Sequence, residues 1–365
     1  MLPAPRTRHR RAVRLLSLPA TGRRACTITQ PDPPIRGRAW IGSSADGWVI
    51  TSDDRSELHL LNPVTGVQFQ LPSVTTFPFV KAAMQDGGVT RSYLLSRHGV
   101  PSLTVPACDL RFLLFVKAIA WWSGPSGKTS AAPSSSTPAK TSGRDYTVAL
   151  IYRPYERLAF VRSGDRAWRT VDLLYAYGFT DLIHRQGWLL TVDAFGQVAA
   201  WDLDENPAPV PRMLQARPAA GEAGPGCTSQ TNYLVVSAAT GTLLQLRREG
   251  APAQGKSAGG HRTAGFRVFR LEAGRVRWVE VEGLGGEAVF LGRGHSVAVM
   301  AGGSTGVEGD CIYFTDDYFG CPEVFHGEGG DMGTFCMGDG GVRKLAGVEV
   351  PPGAPSPLWI TPSLQ

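Results

Sequence analysis

The stretch Trp48–Asp53 (WVITSD) recurs as Trp188–Asp193 (WLLTVD), and Ile312–Asp317 (IYFTDD) is a third, related copy. In each copy a short apolar run ends in a threonine, and an aspartate follows two residues later. A turn and a second run come after the first two copies, as Glu57–Leu61 and Gln197–Trp201. Apolar runs closed by Asp and Gly turn residues are typical of β-hairpins. The sequence therefore predicts antiparallel hairpins repeated along the chain.

Recurrence of one strand motif predicts a repeat architecture. The composition agrees, because Gly and Pro supply 44 and 27 of the 365 residues, which favours many turns over helices. Strand-like runs separated by turns can be followed from residue 36 to residue 345. We therefore predict an all-β chain folded as a kelch-like β-propeller of about six or seven blades, each a short antiparallel sheet.

The predicted propeller covers residues 30–350, with a basic arm or partial first blade at 1–29 and a tail at 351–365. Some segments are rich in Gly, Pro, Ser and Ala and bury too little apolar area to offset the entropy lost on ordering. We predict that these are flexible insertions, at 123–144, 204–229 and 249–265.

The formal net charge of +6 comes from the beginning of the chain. Seven arginines precede the first acid, Asp32, and without them the net charge is −1. A near-neutral body has no basic field to attract phosphate, so we do not expect nucleic-acid binding. The arginine tract is interpreted as a solvated arm or, alternatively, as an organelle import signal.

The most apolar tract, Leu110–Trp122, contains two charged residues and is shorter than the roughly 20 residues that span a bilayer. We predict a pair of core strands there, and no membrane association. The six cysteines show no Cys-x-x-Cys spacing, which argues against a zinc framework or a dense disulfide scaffold. We expect reduced, mostly buried thiols and an intracellular protein, in the cytoplasm or nucleus.

The spacing of the candidate residues does not match the known motifs for catalysis or metal binding. The seven histidines form no His-x-x-x-His or His-Glu-x-x-His pattern. Gly124–Thr129 (GPSGKT) lacks the first glycine of a phosphate-binding loop, because Trp122 stands there. Asp53–Asp54 and Asp316–Asp317 are better interpreted as turn formers than as cation ligands. No catalytic, cofactor or metal site is predicted, and we do not expect an enzyme.

Most aromatic residues of the repeats are predicted to pack inside the protein. Trp48, Trp188 and Trp278 lie in strand patterns, where a large ring most often packs between neighbouring blades. Tyr318 and Phe319 instead follow an acidic turn and precede a glycine, where an exposed ring could anchor a partner protein. These two residues are the predicted partner-binding site.

Several further motifs, in a fixed order, make the chain resemble a plant family. They are Pro33–Arg38 (PPIRGR), Ile41–Ser44 (IGSS), Ser56–Gly66 (SELHLLNPVTG), Phe266–Leu271 (FRVFRL), Arg277–Val281 (RWVEV), Glu287–Gly292 (EAVFLG) and Asp310–Asp317 (DCIYFTDD). Over roughly residues 30–345 the chain resembles the F-box-associated proteins with a KIB-type β-propeller, labelled domain of unknown function 295.

In that family the propeller usually follows an F-box, a helical module that docks on a Skp1-type adaptor of a cullin ubiquitin ligase. The resemblance implies a non-enzymatic propeller that binds a protein targeted for ubiquitination, without indicating which protein. Residues 1–29 are Arg-rich, interrupted by Pro and too short for three helices, so we do not expect this chain to bind the adaptor. A truncated paralogue without adaptor activity is one alternative, and a propeller enzyme is another.

Overall fold

A computed structural model shows a chain of mostly antiparallel sheets with one α-helix in its described residues. The predicted all-β class and β-propeller fold are confirmed. The structure describes the backbone of three strands before residue 33, together with Pro218, Cys227 and residues 33–35, 37–97, 100–123, 145–154, 156–171, 178–205, 208–214, 229–252, 261–272, 274–302, 306–317, 331–345 and 357–361.

The chain begins with a three-stranded antiparallel sheet and continues into the first blade. The opening sheet comprises β1 (Leu2–Pro3), β2 (Ala12–Leu16) and β3 (Ala25–Thr29). The first blade comprises β4 (Ala39–Ser44), β5 (Val49–Ser52), β6 (Leu58–Leu61) and β7 (Gln68–Gln70).

A second three-stranded sheet and the helix separate the first blade from the second. A 3₁₀ turn (Val74–Thr76) leads into β8 (Val80–Asp86), β9 (Val89–Arg97), β10 (Val100–Pro106) and α1 (Ala107–Leu114). The second blade comprises β11 (Phe115–Trp122), β12 (Tyr146–Tyr152), β13 (Arg157–Arg162) and β14 (Arg169–Thr170).

The other blades follow in chain order. The third comprises β15 (Phe179–Arg185), β16 (Trp188–Asp193), β17 (Val198–Trp201) and β18 (Pro211–Met213). The fourth comprises β19 (Ser229–Val236), β20 (Leu243–Pro252), β21 (His261–Glu272) and β22 (Arg277–Val281). The fifth comprises β23 (Glu287–Leu291), β24 (Val297–Met300), β25 (Cys311–Phe314), β26 (Gly333–Cys336) and β27 (Gly341–Lys344).

The first and second blades meet through their leading strands. Strands β4 and β11 are paired in parallel, with Gly42 opposite Ala118. A methyl group on Gly42 would overlap the carbonyl oxygen of Ala118, so only glycine permits this close approach. The segment 357–361 joins the first and fifth blades, because Trp359 donates its indole N–H to Leu291 O (2.9 Å) while its own carbonyl accepts from Ser43.

The core lies between the blades, because each strand points alternate side chains to opposite faces. In β11, Ala118 and Ala120 contact the cluster shared with the first blade, whereas Ile119 and Trp121 contact the cluster shared with the third. Both faces of the blade are therefore buried, and its strands are apolar almost throughout.

The predicted strand pair at Leu110–Trp122 is wrong at its beginning, where α1 runs to Leu114. Ala107, Leu110 and Leu114 are its buried residues, a spacing of three and four that suits one face of a helix. A short apolar run does not distinguish a buried helix from a strand by pattern alone. None of the helices that the structure describes is long and apolar enough to cross a membrane.

Two of the predicted insertions hold paired strands. Within 204–229, Pro211–Met213 forms β18, the last strand of the third blade. Within 249–265, β20 and β21 stay paired as far as Pro252 opposite His261. Composition missed these pairs because strands are joined through backbone groups that every non-proline residue carries. Of the insertion at 123–144, residues 124–144 lie outside the described residues.

Candidate functional site

The repeated Thr-x-Asp motif forms the same turn in its first two copies. Asp53 Oδ1 accepts hydrogen bonds from the backbone N–H groups of Arg55 and Glu57, both at 2.9 Å. Asp193 Oδ1 accepts from Phe195 and Gln197, both at 2.8 Å. The aspartate side chain thus closes the turn into the next strand, as proposed for turn formers.

The third copy uses its aspartate differently. Asp317 is buried, its Oδ1 accepts from Arg248 Nη1 (2.7 Å), and its Oδ2 accepts from the hydroxyl of Tyr233 (2.7 Å). Its carboxylate is the anion of a buried ion pair. The signal that could have indicated this is the second acid, Asp316, which replaces the small or apolar residue of the other copies.

Arg248 also binds Asp331, through Nη2 to Asp331 Oδ2 at 2.9 Å. Burial opposes its positive charge, but Tyr233, Asp317 and Asp331 outweigh burial and hold the pKa of Arg248 above its usual value. One guanidinium therefore fixes the two residues on either side of 318–330. The predicted partner-binding residues Tyr318 and Phe319 belong to that segment and lie outside the described residues.

A buried polar cluster joins four blades, and sequence reasoning did not find it. Lys117 Nζ contacts Asp181 Oδ1 (2.7 Å) and donates to Gly292 O (2.8 Å) and Ser296 Oγ (3.1 Å). Ser296 in turn donates to Asp181 Oδ2 (3.1 Å), which also accepts from the backbone N–H of Leu234 (2.9 Å). The available signal was a lysine inside the apolar strand FVKAIAWW, since a buried charge needs a partner.

This cluster, Lys117, Asp181 and Ser296, has its hydrogen-bonding groups occupied within the protein. The Lys117 ammonium carries three N–H donors, and three acceptor oxygens lie around it. Nearby, burial and then the charge of Lys117 lower the pKa of His295 to about 4. His295 is therefore neutral at neutral pH, and the cluster is arranged to hold blades together rather than to transfer a proton to a substrate.

A shallow groove of about 430 Å³ lies between the third and fourth blades at the protein surface. We call it the interblade groove, and its apolar wall includes Trp188, Leu190, Leu214 and Leu271. Beside it, Met213 on β18 exposes 50% of its surface. A concave apolar surface with a few polar groups at its edge is the usual form of a binding site.

Two arginines are the charged residues of the interblade groove. The guanidinium of Arg212 lies over the Trp188 ring, 4.7 Å from its centroid, in a cation–π arrangement. Arg185 Nη2 donates to Gly241 O at 2.5 Å. Within the described part of the chain neither arginine pairs with a carboxylate, so the edge of the groove is positively charged.

The three repeat tryptophans occupy different environments. Trp48 and Trp278 are buried, and Trp48 packs between blades against Trp122, with ring centroids 4.9 Å apart. Trp188 contacts the cluster between the third and fourth blades but is only partly buried. The prediction that these rings are packed inside the protein therefore holds for Trp48 and Trp278. Trp188 is only partly packed, because part of its ring is open to the interblade groove.

The expectation of reduced thiols is wrong for one cysteine pair. Cys311 and Cys336 form a disulfide across 25 positions of sequence, whereas Cys108 and Cys227 are free. The pairing depends on β25 lying beside β26, which cysteine spacing alone does not reveal.

Comparison with known proteins agrees with the fold. The model of the KIB1-4 beta-propeller family matches residues 15–336. An Arabidopsis thaliana protein named "Putative F-box protein At5g55150" is 23% identical over 173 residues, which is 47% of this chain and 45% of that protein. The aligned region thus spans less than half of the relative.

Solved structures with related architecture share little sequence with this chain. The structure of U3-55K aligns with 95% of this chain and 90% of its own, at 9% identity and a TM-score of 0.31. The WD40 domain of Neurospora crassa Pan2 aligns with 66% and 64%, at 11% identity and a TM-score of 0.27. Neither similarity says anything about activity.

Proposed function

Because the chain belongs to the KIB1-4 β-propeller family, we propose that it is a non-enzymatic, protein-binding propeller that recognises a target for a ubiquitin ligase. The observation that carries this proposal is the interblade groove, with its partly exposed tryptophan and two arginines free of carboxylate partners among the described residues. The named F-box relative supports the link to ubiquitination.

The groove favours an extended segment of a target protein that carries apolar side chains next to carboxylates. Trp and Arg are the residues most enriched at binding hot spots, and here they are stacked on each other. An apolar target side chain would cover the open part of Trp188, and a carboxylate would pair with Arg212. Charge complementarity of this kind selects partners and register.

Strand β18 gives a second reason to expect an extended segment. It is the edge strand of the third blade in the described residues, and it carries the exposed Met213 next to the groove. An edge strand presents backbone groups that an incoming strand can pair with. Backbone pairing at β18 would add affinity, while the groove would supply specificity.

The enzymatic alternative receives no support from the buried cluster. Lys117, Asp181 and Ser296 do converge, as catalysis would require, but their polar atoms bind one another and the backbone. Among the residues that the structure describes, the groove lining has two arginines and no acid, histidine or cysteine. Binding is therefore the chemistry that these residues favour.

A peptide library displayed on phage tests the proposal with the full chain as bait. We expect the selected peptides to combine Asp or Glu with large apolar residues. Trp188→Ala or Arg212→Glu should weaken each selected peptide by about 30-fold, the effect of a hot-spot loss near 2 kcal/mol. Arg91→Glu is the matched control, because Arg91 is exposed on β9, away from the groove.

Equal binding of the selected peptides to wild type, Trp188→Ala and Arg212→Glu would refute the groove as the binding site. A selection that yields no peptide above background would refute the proposal that the propeller recognises linear segments.

A further inference from the structure

The Cys311–Cys336 disulfide lies beside a carboxylate. The two cysteines are directly opposite each other on β25 and β26, with their Cα atoms 4.2 Å apart. Glu308 Oε2 is 3.8 Å from Cys311 Sγ and 3.9 Å from Cys336 Sγ. Two sulfurs and one carboxylate oxygen therefore come within 4.8 Å of one another, and they form what we call the thiol–carboxylate cluster.

The backbone of Glu308 is held in place by the blade. Its N–H donates to the hydroxyl of Tyr313 (2.9 Å), and the Tyr313 ring stacks on Phe290 with centroids 4.9 Å apart. The Glu308 side chain is 70% exposed, so solvent reaches the cluster from that side. Nearby, Arg343 Nη1 is 4.0 Å from Glu308 Oε2.

We propose that the reduced thiol–carboxylate cluster binds a thiophilic divalent cation, with Zn²⁺ as the natural ligand, and that the disulfide is its closed, metal-free state. Reduction by a dithiol transfers two electrons to the sulfur–sulfur bond, which breaks as the dithiol becomes a disulfide. Each cysteine sulfur takes up one proton. Binding of the cation then releases those two protons and forms two metal–sulfur bonds and one metal–oxygen bond.

The distances suit such a cation once the disulfide is open. Tetrahedral Zn²⁺, with bonds of about 2.3 Å to sulfur and 2.0 Å to oxygen, separates ligand sulfur from ligand oxygen by about 3.5 Å. The sulfur–oxygen distances of 3.8 and 3.9 Å in the structure are close to that value. The two sulfurs must move to about 3.8 Å apart, which side-chain rotation allows because opposite Cβ atoms in paired strands are about 5 Å apart.

Three protein ligands leave one coordination position, and the exposed side of Glu308 lets water occupy it. The sequence separation of the ligands explains why cysteine spacing did not predict the cluster. Cys311 and Glu308 are three residues apart, but Cys336 comes from the next strand of the blade.

Titration of the full chain with Co²⁺ tests the proposal. After reduction with a phosphine and removal of metal, we expect one Co²⁺ per chain, with the sulfur-to-metal absorption of a tetrahedral thiolate site. The oxidised protein should bind none. Cys336→Ser should abolish the absorption, and Glu308→Gln should weaken Co²⁺ binding by more than about tenfold, since even outer-shell partners contribute that much. Cys108→Ser, at a free exposed thiol, is the matched control.

A second measurement covers the case in which reduction destabilises the blade. Zn²⁺ should raise the thermal midpoint of the reduced wild type, or restore its β circular dichroism if that is lost, because binding to the native state alone stabilises it. Failure of the reduced wild type to take up Co²⁺ or to gain stability from Zn²⁺ would overturn the proposal. Uptake that persists in Cys311→Ser/Cys336→Ser would do the same.

Discussion

Replacement of Lys117 by methionine should remove a large part of the protein's stability. Methionine keeps the apolar stem but deletes the ammonium that contacts Asp181, Gly292 and Ser296. Asp181 would remain as a buried carboxylate, with Ser296 and two backbone N–H groups as its partners in the described part of the chain. Loss of one partner from a buried pair destabilises proteins by about 3–5 kcal/mol, and complete burial on both sides favours the upper half of that range.

For a chain of this size, unfolding entropy of about 2.1 cal/mol/K per residue makes 1 kcal/mol equal to about 1.3 °C. We therefore expect Lys117→Met to lower the thermal midpoint by about 5–7 °C in differential scanning calorimetry. Lys117→Met/Asp181→Leu should recover much of the loss, because no uncompensated charge remains. A midpoint within about 1 °C of wild type for Lys117→Met, or a double variant less stable than the single one, would show that the pair does not join the blades as described.

The remaining predictions concern packing, pH and the ligase adaptor. Gly42→Ala should destabilise the protein by about 1–3 kcal/mol in urea denaturation, because its methyl group overlaps the Ala118 carbonyl oxygen, whereas Gly338→Ala, which has open space around it, should stay within about 0.5 kcal/mol. A pKa of about 4 for His295 against an ordinary 6.5 means that the unfolded chain binds the extra proton first as pH falls. Stability should thus drop by about 2 kcal/mol between pH 7 and pH 5, and His295→Gln should remove that part of the slope. The chain should fail to retain a purified Skp1-type adaptor in a pull-down at about 0.15 M salt, and stoichiometric retention would contradict this.

Local patterns predicted the hairpins because their determinants are close in sequence. Each Thr-x-Asp copy ends or follows one strand, in β5, β16 and β25, and the second runs became β6 and β17. The turn that joins them needs only one aspartate and the next four residues. Because such contacts join residues that are close together in the sequence, a local pattern of residue types identifies them.

The buried cluster and the disulfide could not be found in that way. Lys117 contacts Asp181 and Ser296, and Ser296 lies 179 positions after Lys117 in the sequence. Which charges become neighbours depends on how the blades are arranged around the propeller, and that arrangement leaves no local spacing to recognise. The same holds for the interblade groove, where Trp188 and Leu271 come from different blades.

The one departure among the three motif copies also bears on stability. In the first two copies the aspartate stabilises a short turn that leads directly into the next strand. In the third, Asp317 gives up that arrangement and joins Asp331 on Arg248, so that fourteen positions of sequence begin and end at one guanidinium. Arg248→Met should therefore lower the thermal midpoint, because two carboxylates would lose the positive charge that they share. A midpoint equal to that of wild type would contradict this account of the ion pairs.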